Sequence, residues 1–297
     1  MSRLVVIGFG LIGGSFALSH RRREAALVTA IDFPSVLDHP RAREAADEFV
    51  DARDGERVRS VVAASSLVVL AAPVQVIRDC LPWALAAAPL VTDCGSTKRA
   101  VQRTARGCAR AARFVPGHPM AGLPDGGIEH ARADLFEGRP WFVCPEGADD
   151  DAVEDVERWI RGVGARPVRM TAAAHDAAVA RTSHLPRLVA SAVLGVVDGA
   201  GAQLAAGPAL QRLARTVGGP ETIWRDIFAS NADEIAQALF ELSALLVPVA
   251  EELAASGRTD RAEALLTAAR RVRAELSDPA PPDDAVKDRP SPSLPQT

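Results

Sequence analysis

The sequence predicts an α/β domain built on a doubly wound parallel sheet, followed by an all-α domain, and three observations carry that prediction. Short apolar runs alternate with helical stretches from Leu4 to about Met170. Near Thr171 the strand-like runs stop, and the chain as far as Leu276 is rich in Ala, Leu, Glu and Arg. A glycine-rich turn, Gly8-Phe9-Gly10-Leu11-Ile12-Gly13, joins the first apolar run to the first helical stretch.

In order, the apolar runs fall at residues 4–7, 27–31, 67–71, 90–92, 114–115, 141–143 and 167–170. They are continuous rather than alternating, the pattern of strands covered on both faces by crossover helices. Residues 1–170 are therefore expected to form the sheet domain and residues 171–276 a helical one. In the helical part Phe228, Ile235, Leu242 and Val249 recur every seven residues, with Ala232, Leu239, Leu246 and Leu253 in parallel register. Such a double stripe needs a helical partner along its length, inside its own domain or across a homodimer interface. Pro248 is expected to kink or open that helix near its end. From Ser277 to Thr297 Asp, Pro and Ser dominate, so a disordered tail is expected. No internal repeat is found, and no room remains for an appended regulatory domain.

With 297 residues, 48% of them hydrophobic, the chain has the apolar content for two ordinary globular domains. Its 34 basic and 38 acidic side chains are spread along the sequence, which leaves no basic face for nucleic acid or anionic lipid. Neither partner is expected. No uncharged run approaches the ~18 residues that a membrane span requires. Cys80, Cys94, Cys108 and Cys144 lie far apart, without a C-x-x-C pair or a histidine at zinc-ligand spacing. Reduced thiols, no metal and a cytoplasmic location are the expectation. The first 18 residues superficially copy a signal peptide, but their glycines fit a strand–turn–helix unit better.

The glycine turn carries the first functional signal. Gly8 permits the tight turn, Gly10 lets backbone approach a pyrophosphate, and Gly13 lets helix pack on strand. Leu11 and Ile12 open the helix, whose N-terminus supplies N–H donors and partial positive charge. This context makes the domain Rossmann-like and dinucleotide-binding. Asp32 ends the next run, 19 positions after Gly13, where an acid hydrogen-bonds the adenosine ribose and repels a 2′-phosphate. NAD is thus expected over NADP, and Arg21, Arg22 and Arg23 are read as a solvated helix end.

Two polar motifs follow neighbouring strands: Asp93-Cys94-Gly95-Ser96-Thr97-Lys98 and Gly117-His118-Pro119-Met120-Ala121-Gly122. Both fall at the carboxyl edge of the sheet, where ligands of such folds sit. With the glycine turn, these motifs and the segments 135–141 (LFEGRPW), His175-Asp176, 182–186 (TSHLP) and 223–227 (IWRDI), the chain resembles the prephenate and arogenate dehydrogenase family from Leu4 to about Leu276. The resemblance implies a nucleotide domain, a helical dimerisation domain and an active site between them.

By the same resemblance His118 is the acceptor for the proton of the substrate's C4 hydroxyl, a role suited to a group titrating near neutral pH. Ser96 is implied to hydrogen-bond that histidine or the substrate and to help place the nicotinamide. Arg215, nine residues before Trp224, is implied to bind a substrate carboxylate, a task for a planar guanidinium. Ser183 and His184 are implied to line the pocket from the helical domain.

The chain also departs from the family pattern. Leu123 and Pro124 follow H-P-M-A-G where polar residues are common, Arg187 replaces a second histidine, and a glycine cluster is thinned to Gly207-Pro208. An extra cation at Arg187 suits a carboxylate better than an ammonium, which favours prephenate. Arogenate and 4-amino-4-deoxyprephenate stay open as substrates. A β-hydroxyacid or imine reductase needs a lysine in the interdomain helix, and the chain's two lysines, Lys98 and Lys287, both lie elsewhere. A non-catalytic NAD-binding protein has no reason to combine His118, Ser96 and Arg215.

Overall fold

The computed structural model describes residues 2–23, 27–123 and 126–277. Pro124 and the tail beyond Ser277 lie outside the described residues. Six parallel strands, β1 (Arg3–Ile7), β2 (Leu27–Asp32), β3 (Glu48–Asp51), β4 (Leu67–Leu70), β5 (Val91–Asp93) and β6 (Phe114–Val115), form one sheet in the order β3-β2-β1-β4-β5-β6. Helices α1 (Leu11–Arg23), α2 (Pro34–Leu37), α3 (Pro40–Ala45), α4 (Gly55–Ala63), α5 (Val74–Ala87) and α6 (Arg99–Arg106) make the crossovers.

Alternate residues of each central strand enter different cores. Leu4, Val6, Val28 and Val69 pack on one face with Phe16 and Trp141, while Val5, Ile7, Ile31 and Val68 pack on the other with Ile77 and Leu81. Burial on both faces is why these runs are continuously apolar. The strand order reverses between β1 and β4, and the crevice at their carboxyl ends is the binding position of such sheets.

Two departures from the sequence expectation concern this region. β3 went unread because only Val50 of its four residues is buried. The runs near residues 141 and 167 do not extend the parallel sheet: β7 (Gly117–Pro119), β8 (Pro140–Val143) and β9 (Arg166–Arg169) form a second, mixed sheet, with β7 antiparallel to β8 and β8 parallel to β9. Helix α7 (Asp150–Gly162) crosses from β8 to β9. The chain changes sheets at Pro116, between β6 and β7.

From Ala172 onward the elements are helices: α8 (Ala172–Val179), a π-helical turn (Ala180–His184), α9 (Leu185–Gly199), α10 (Pro208–Ala214), α11 (Glu221–Ser230), α12 (Ala232–Ser256) and α13 (Asp260–Ser277). Thr171 starts α8 by accepting the Ala174 N–H at 3.1 Å. The stripe expected as one helix from Phe228 is interrupted at Asn231, whose φ of −132° and ψ of 29° end α11. Asn231 is fully buried and its side chain binds neighbouring elements, so a polar need outranks helix continuity there. Helix α12 runs on through Pro248.

The chain divides into two compact units, Met1–Ala238 and Leu239–Thr297, with the boundary inside α12. In the second unit the backbone N–H of Arg261 donates to Glu252 at 3.0 Å, and Leu245, Leu246, Val247, Leu253 and Leu276 are exposed. Among the described residues no helix is long and apolar enough to cross a membrane.

Candidate active site

The three glycines of the first turn behave differently. Gly8 has φ +89°, and a Cβ there would lie 2.5 Å from the carbonyl oxygen of Ala71, so only glycine fits. At Gly13 a Cβ would lie 2.1 Å from the carbonyl oxygen of Gly8. Gly10 has no heavy atom within 4 Å of such a Cβ, leaving an open face beside the start of α1. No acidic residue occupies the first turn of α1, where Leu11 is buried and Ile12 half-buried. Asp32 sits at the lip of the turn: one carboxylate oxygen accepts the Phe9 N–H at 2.6 Å and the other the Phe33 N–H at 2.7 Å. Free backbone donors at a helix N-terminus, open space beside Gly10 and a fixed acid at the strand end fit a dinucleotide.

His118 lies in the middle of β7, half-buried, two residues beyond the sheet switch at Pro116. Its Nδ1 is 2.8 Å from Nε2 of His175 on α8, and Nδ1 of His175 is 2.8 Å from Oδ1 of Asp176. The Asp176 carboxylate also accepts the backbone N–H groups of Lys98 at 2.7 Å and Arg99 at 2.9 Å. Burial raises the Asp176 carboxyl, but these hydrogen bonds outweigh it and hold the group below the usual carboxylate range. Burial, reinforced by His175, Lys98 and His184, lowers His118 well below 6.5. At neutral pH His118 is therefore uncharged and able to accept a proton.

Beneath this cluster Lys98 is fully buried. Its Nζ donates to the Asp93 carboxylate and, at 2.6 Å, to the carbonyl of Gly117. Asp93 in turn accepts the Gly95 N–H at 2.8 Å and the Gly117 N–H at 3.1 Å. This paired charge ties the end of β5 to the strand that bears His118. Ser96 is half-buried on the connection between Asp93 and Lys98.

On the helical side the sequence candidates separate. The π-turn shifts the helical phase, so that His184 is buried while Ser183 is exposed. His184 Nδ1 lies 3.4 Å from the Asn231 amide, and burial lowers its pKa to about 4. Asn231 also donates to the Asp176 carbonyl at 2.9 Å, which connects His184 to the His118 cluster. Arg187 is buried; its Nη1 donates to the carbonyls of Thr216, at 2.9 Å, and Gly218, and its guanidinium lies 4.6 Å above the Trp224 ring. It borders a cavity of about 480 Å³ with Ser191, Glu221, Trp224, Arg225 and Phe228. Arg215 is exposed at the end of α10, and among the described residues no hydrogen bond ties it to the His118 cluster.

Sequence reasoning gave no role to Lys98, Arg99, His175, Asp176 or Asn231. Arg99 joins three elements: it reaches Asp176 at 3.3 Å, Asn231 at 2.9 Å and Asp233 at 2.5 and 2.7 Å. Four of the five stand in or beside motifs the sequence displays, 93–98 and His175-Asp176. A charged residue next to two strand-end motifs was the available signal. Asn231 gave none, since a lone asparagine in a helical stretch reads as surface.

Known proteins share this fold and domain order. The prephenate dehydrogenase nucleotide-binding domain model matches residues 22–169, and the prephenate dehydrogenase dimerization domain model matches residues 171–268. The probable prephenate dehydrogenase NovF of Streptomyces niveus is 31% identical over 261 residues, 85% of this chain and 69% of that protein. Prephenate dehydrogenase of Bacillus subtilis is 28% identical over 245 residues, 78% of this chain, which spans 65% of that relative's length. A crystal structure of prephenate dehydrogenase from Aquifex aeolicus superposes with a TM-score of 0.82 at 26% identity, covering 93% of this chain and all of the other. With both domain models matched in order along most of its length, the chain belongs to the prephenate dehydrogenase family.

Proposed function

We propose that this chain is an NAD-dependent prephenate dehydrogenase that converts prephenate to 4-hydroxyphenylpyruvate and CO2, a step towards tyrosine. The observation that carries this reading is the placement of an uncharged His118 on β7, three residues past the end of β6, in a chain whose nucleotide turn has an open face at Gly10 and a fixed acid at Asp32. Gly8, Gly10, Leu11, Ile12, Gly13 and Asp32 hold the dinucleotide. Bound NAD supplies the acceptor for the hydride that leaves C4 of the substrate. His118 draws the C4 hydroxyl proton as that hydride departs, CO2 leaves C1, and the proton ends on the phenol oxygen once the ring is aromatic. Such a group contributes ~10²–10⁴-fold. Ser96 orients the substrate hydroxyl and the nicotinamide.

The substrate's carboxylates need cations. Arg215, exposed and without a hydrogen-bond partner among the described residues, is our first candidate, with Ser183 and His184 as further pocket residues. Arg187 keeps donor capacity beyond its Nη1 and borders the cavity beside Trp224, which supports a side-chain carboxylate rather than an ammonium. Residues 1–170 serve the nucleotide, and residues 171–276 serve the substrate and a homodimer. The enzyme works in the cytoplasm, where its four free cysteines stay reduced.

Purified protein assayed with NAD and with NADP, on prephenate and on arogenate, tests the reading. Turnover is expected with NAD and prephenate, and His118→Asn is expected to lower kcat by about 100-fold with little change in KM. Normal turnover in that variant removes His118 from the mechanism, and preference for arogenate reassigns the substrate.

A further inference from the structure

An anion at one end of a chain of imidazoles dictates where every proton in the chain sits. Asp176 is buried and accepts from two backbone N–H groups and from Arg99, so it is a carboxylate and can only accept from His175 Nδ1. A neutral His175 with its hydrogen on Nδ1 has a bare Nε2. That bare nitrogen faces His118 Nδ1 at 2.8 Å, so His118 must donate from Nδ1. The consequence is a bare Nε2 on His118. We propose that His175, backed by Asp176, is the positioning residue that fixes His118 in the tautomer whose free Nε2 accepts the substrate's proton.

The surroundings favour this arrangement. Phe142 packs edge-on against the His175 ring, with centroids 5.7 Å apart, and closes the apolar side of the chain. The charged or titratable groups facing the two rings are Asp93 and Lys98 from β5 and the connection after it, Asp176 from α8 and His184 from the π-turn. Asp93 and Lys98 pair with one another, and Asp176, which Arg99 also contacts, is the carboxylate hydrogen-bonded directly to the relay. When His118 takes a proton at Nε2, its Nδ1–H still donates to His175, and the new cation is stabilised through that bond by the carboxylate beyond it. Sequence spacing cannot reveal this, because the two histidines are 57 residues apart and meet only where β7 passes α8.

The inference rests on the reading of His118 as the proton acceptor, and the test separates the two. In nitrogen-15 NMR of the full-length wild-type protein, the His118 ring is expected to carry hydrogen on Nδ1 and none on Nε2. In His175→Ala the other tautomer should appear. Turnover of that variant should fall about tenfold to a hundredfold, in line with losses of other histidine-orienting partners, with KM and NAD affinity near wild type. The acid limb of its kcat/KM profile should move to lower pH, because losing the acceptor for protonated His118 outweighs losing the charge repulsion that a protonated His175 exerts on it. His175→Gln keeps an acceptor for His118 and a donor for Asp176, so it should recover tautomer and part of the rate even if the alanine variant folds poorly. A wild-type His118 with hydrogen on Nε2, or an unchanged pH profile in a folded His175→Ala, overturns the proposal. Normal turnover in His118→Asn would instead overturn the reading beneath it.

Discussion

Within the nucleotide turn, single glycines serve different purposes, and the distinction can be measured. Gly8→Ala and Gly13→Ala place a methyl against backbone oxygens 2.5 and 2.1 Å away, which backbone cannot yield cheaply. Gly10→Ala meets no protein atom within 4 Å. The expected outcome for Gly10→Ala is an unchanged melting temperature with NAD binding weakened by about tenfold, or ~1.4 kcal/mol, because its methyl fills space that a pyrophosphate needs. Calorimetric titration beside a thermal melt checks it, and full NAD affinity in a folded Gly10→Ala would mean the open face is not the cofactor's. The G-x-G-x-x-G spacing revealed the turn from sequence, yet which glycine faces ligand depends on Ala71, just past the end of β4 and far along the chain. His118 was legible for a similar reason, as the polar member of a strand-end motif. His175 and Asp176 were visible as a motif but had no legible role, because their partners Lys98 and Arg99 reach them only through the fold.

Among the elements, the main-sheet strands that sequence displayed are buried on both faces, and β8 and β9 were displayed as apolar runs although only partly buried, whereas β3 and β7 are short and were invisible to an apolar-run criterion. The π-turn at Ala180–His184 was equally hidden, since nothing in T-S-H-L-P distinguishes five-residue from four-residue hydrogen bonding. Helix α12 shows what its stripe is for. Near its start Ile235 and Ala238 are buried within the first compact unit, but Leu239 is 40% and Leu246 and Leu253 are each 46% exposed. An apolar row that its own chain leaves uncovered, in the segment matched by the family's dimerization domain, supports a partner of the same kind. Leu246→Arg should therefore shift the protein from dimer to monomer without unfolding the first unit, which light scattering at micromolar concentration and circular dichroism can report. A variant that stays dimeric would place the interface elsewhere, with the exposed Val193 and Val196 of α9 as the next candidates.

Across the whole molecule, buried histidines set how the fold responds to acid. Burial lowers His20 and His184 each to about 4 and depresses His118 and His175 as well. An unfolded chain takes up protons on these rings as pH falls through about 6.5, while the folded chain resists until much lower pH. Their contribution is thus complete above 6.5 and is lost as pH drops towards 4. Each such ring costs up to about 1.4 kcal/mol per pH unit in that window, so four acting together take a large share of a typical stability of about 5–15 kcal/mol. The carboxylates work lower on the scale: Asp51, hydrogen-bonded by Arg53, and Asp233, hydrogen-bonded by Arg99, are lowered to about 2 and lose their contribution only below the ordinary carboxylate range. The expected outcome is a melting temperature that is level from pH 8 to 7 and falls steeply between pH 6.5 and 5, before most carboxylates titrate. His20, wedged between the rings of Phe16 and Trp159 at centroid distances of 4.9 and 4.6 Å and far in sequence from His118 and His175, isolates one share of the effect. His20→Gln should reduce the slope of stability against pH by roughly one histidine's part, leaving the rest to the rings around His118. Melts in denaturant at pH 7, 6 and 5 for both proteins measure those slopes, and a wild-type stability that does not change between pH 7 and 5 would show that the buried rings are charged in the folded state.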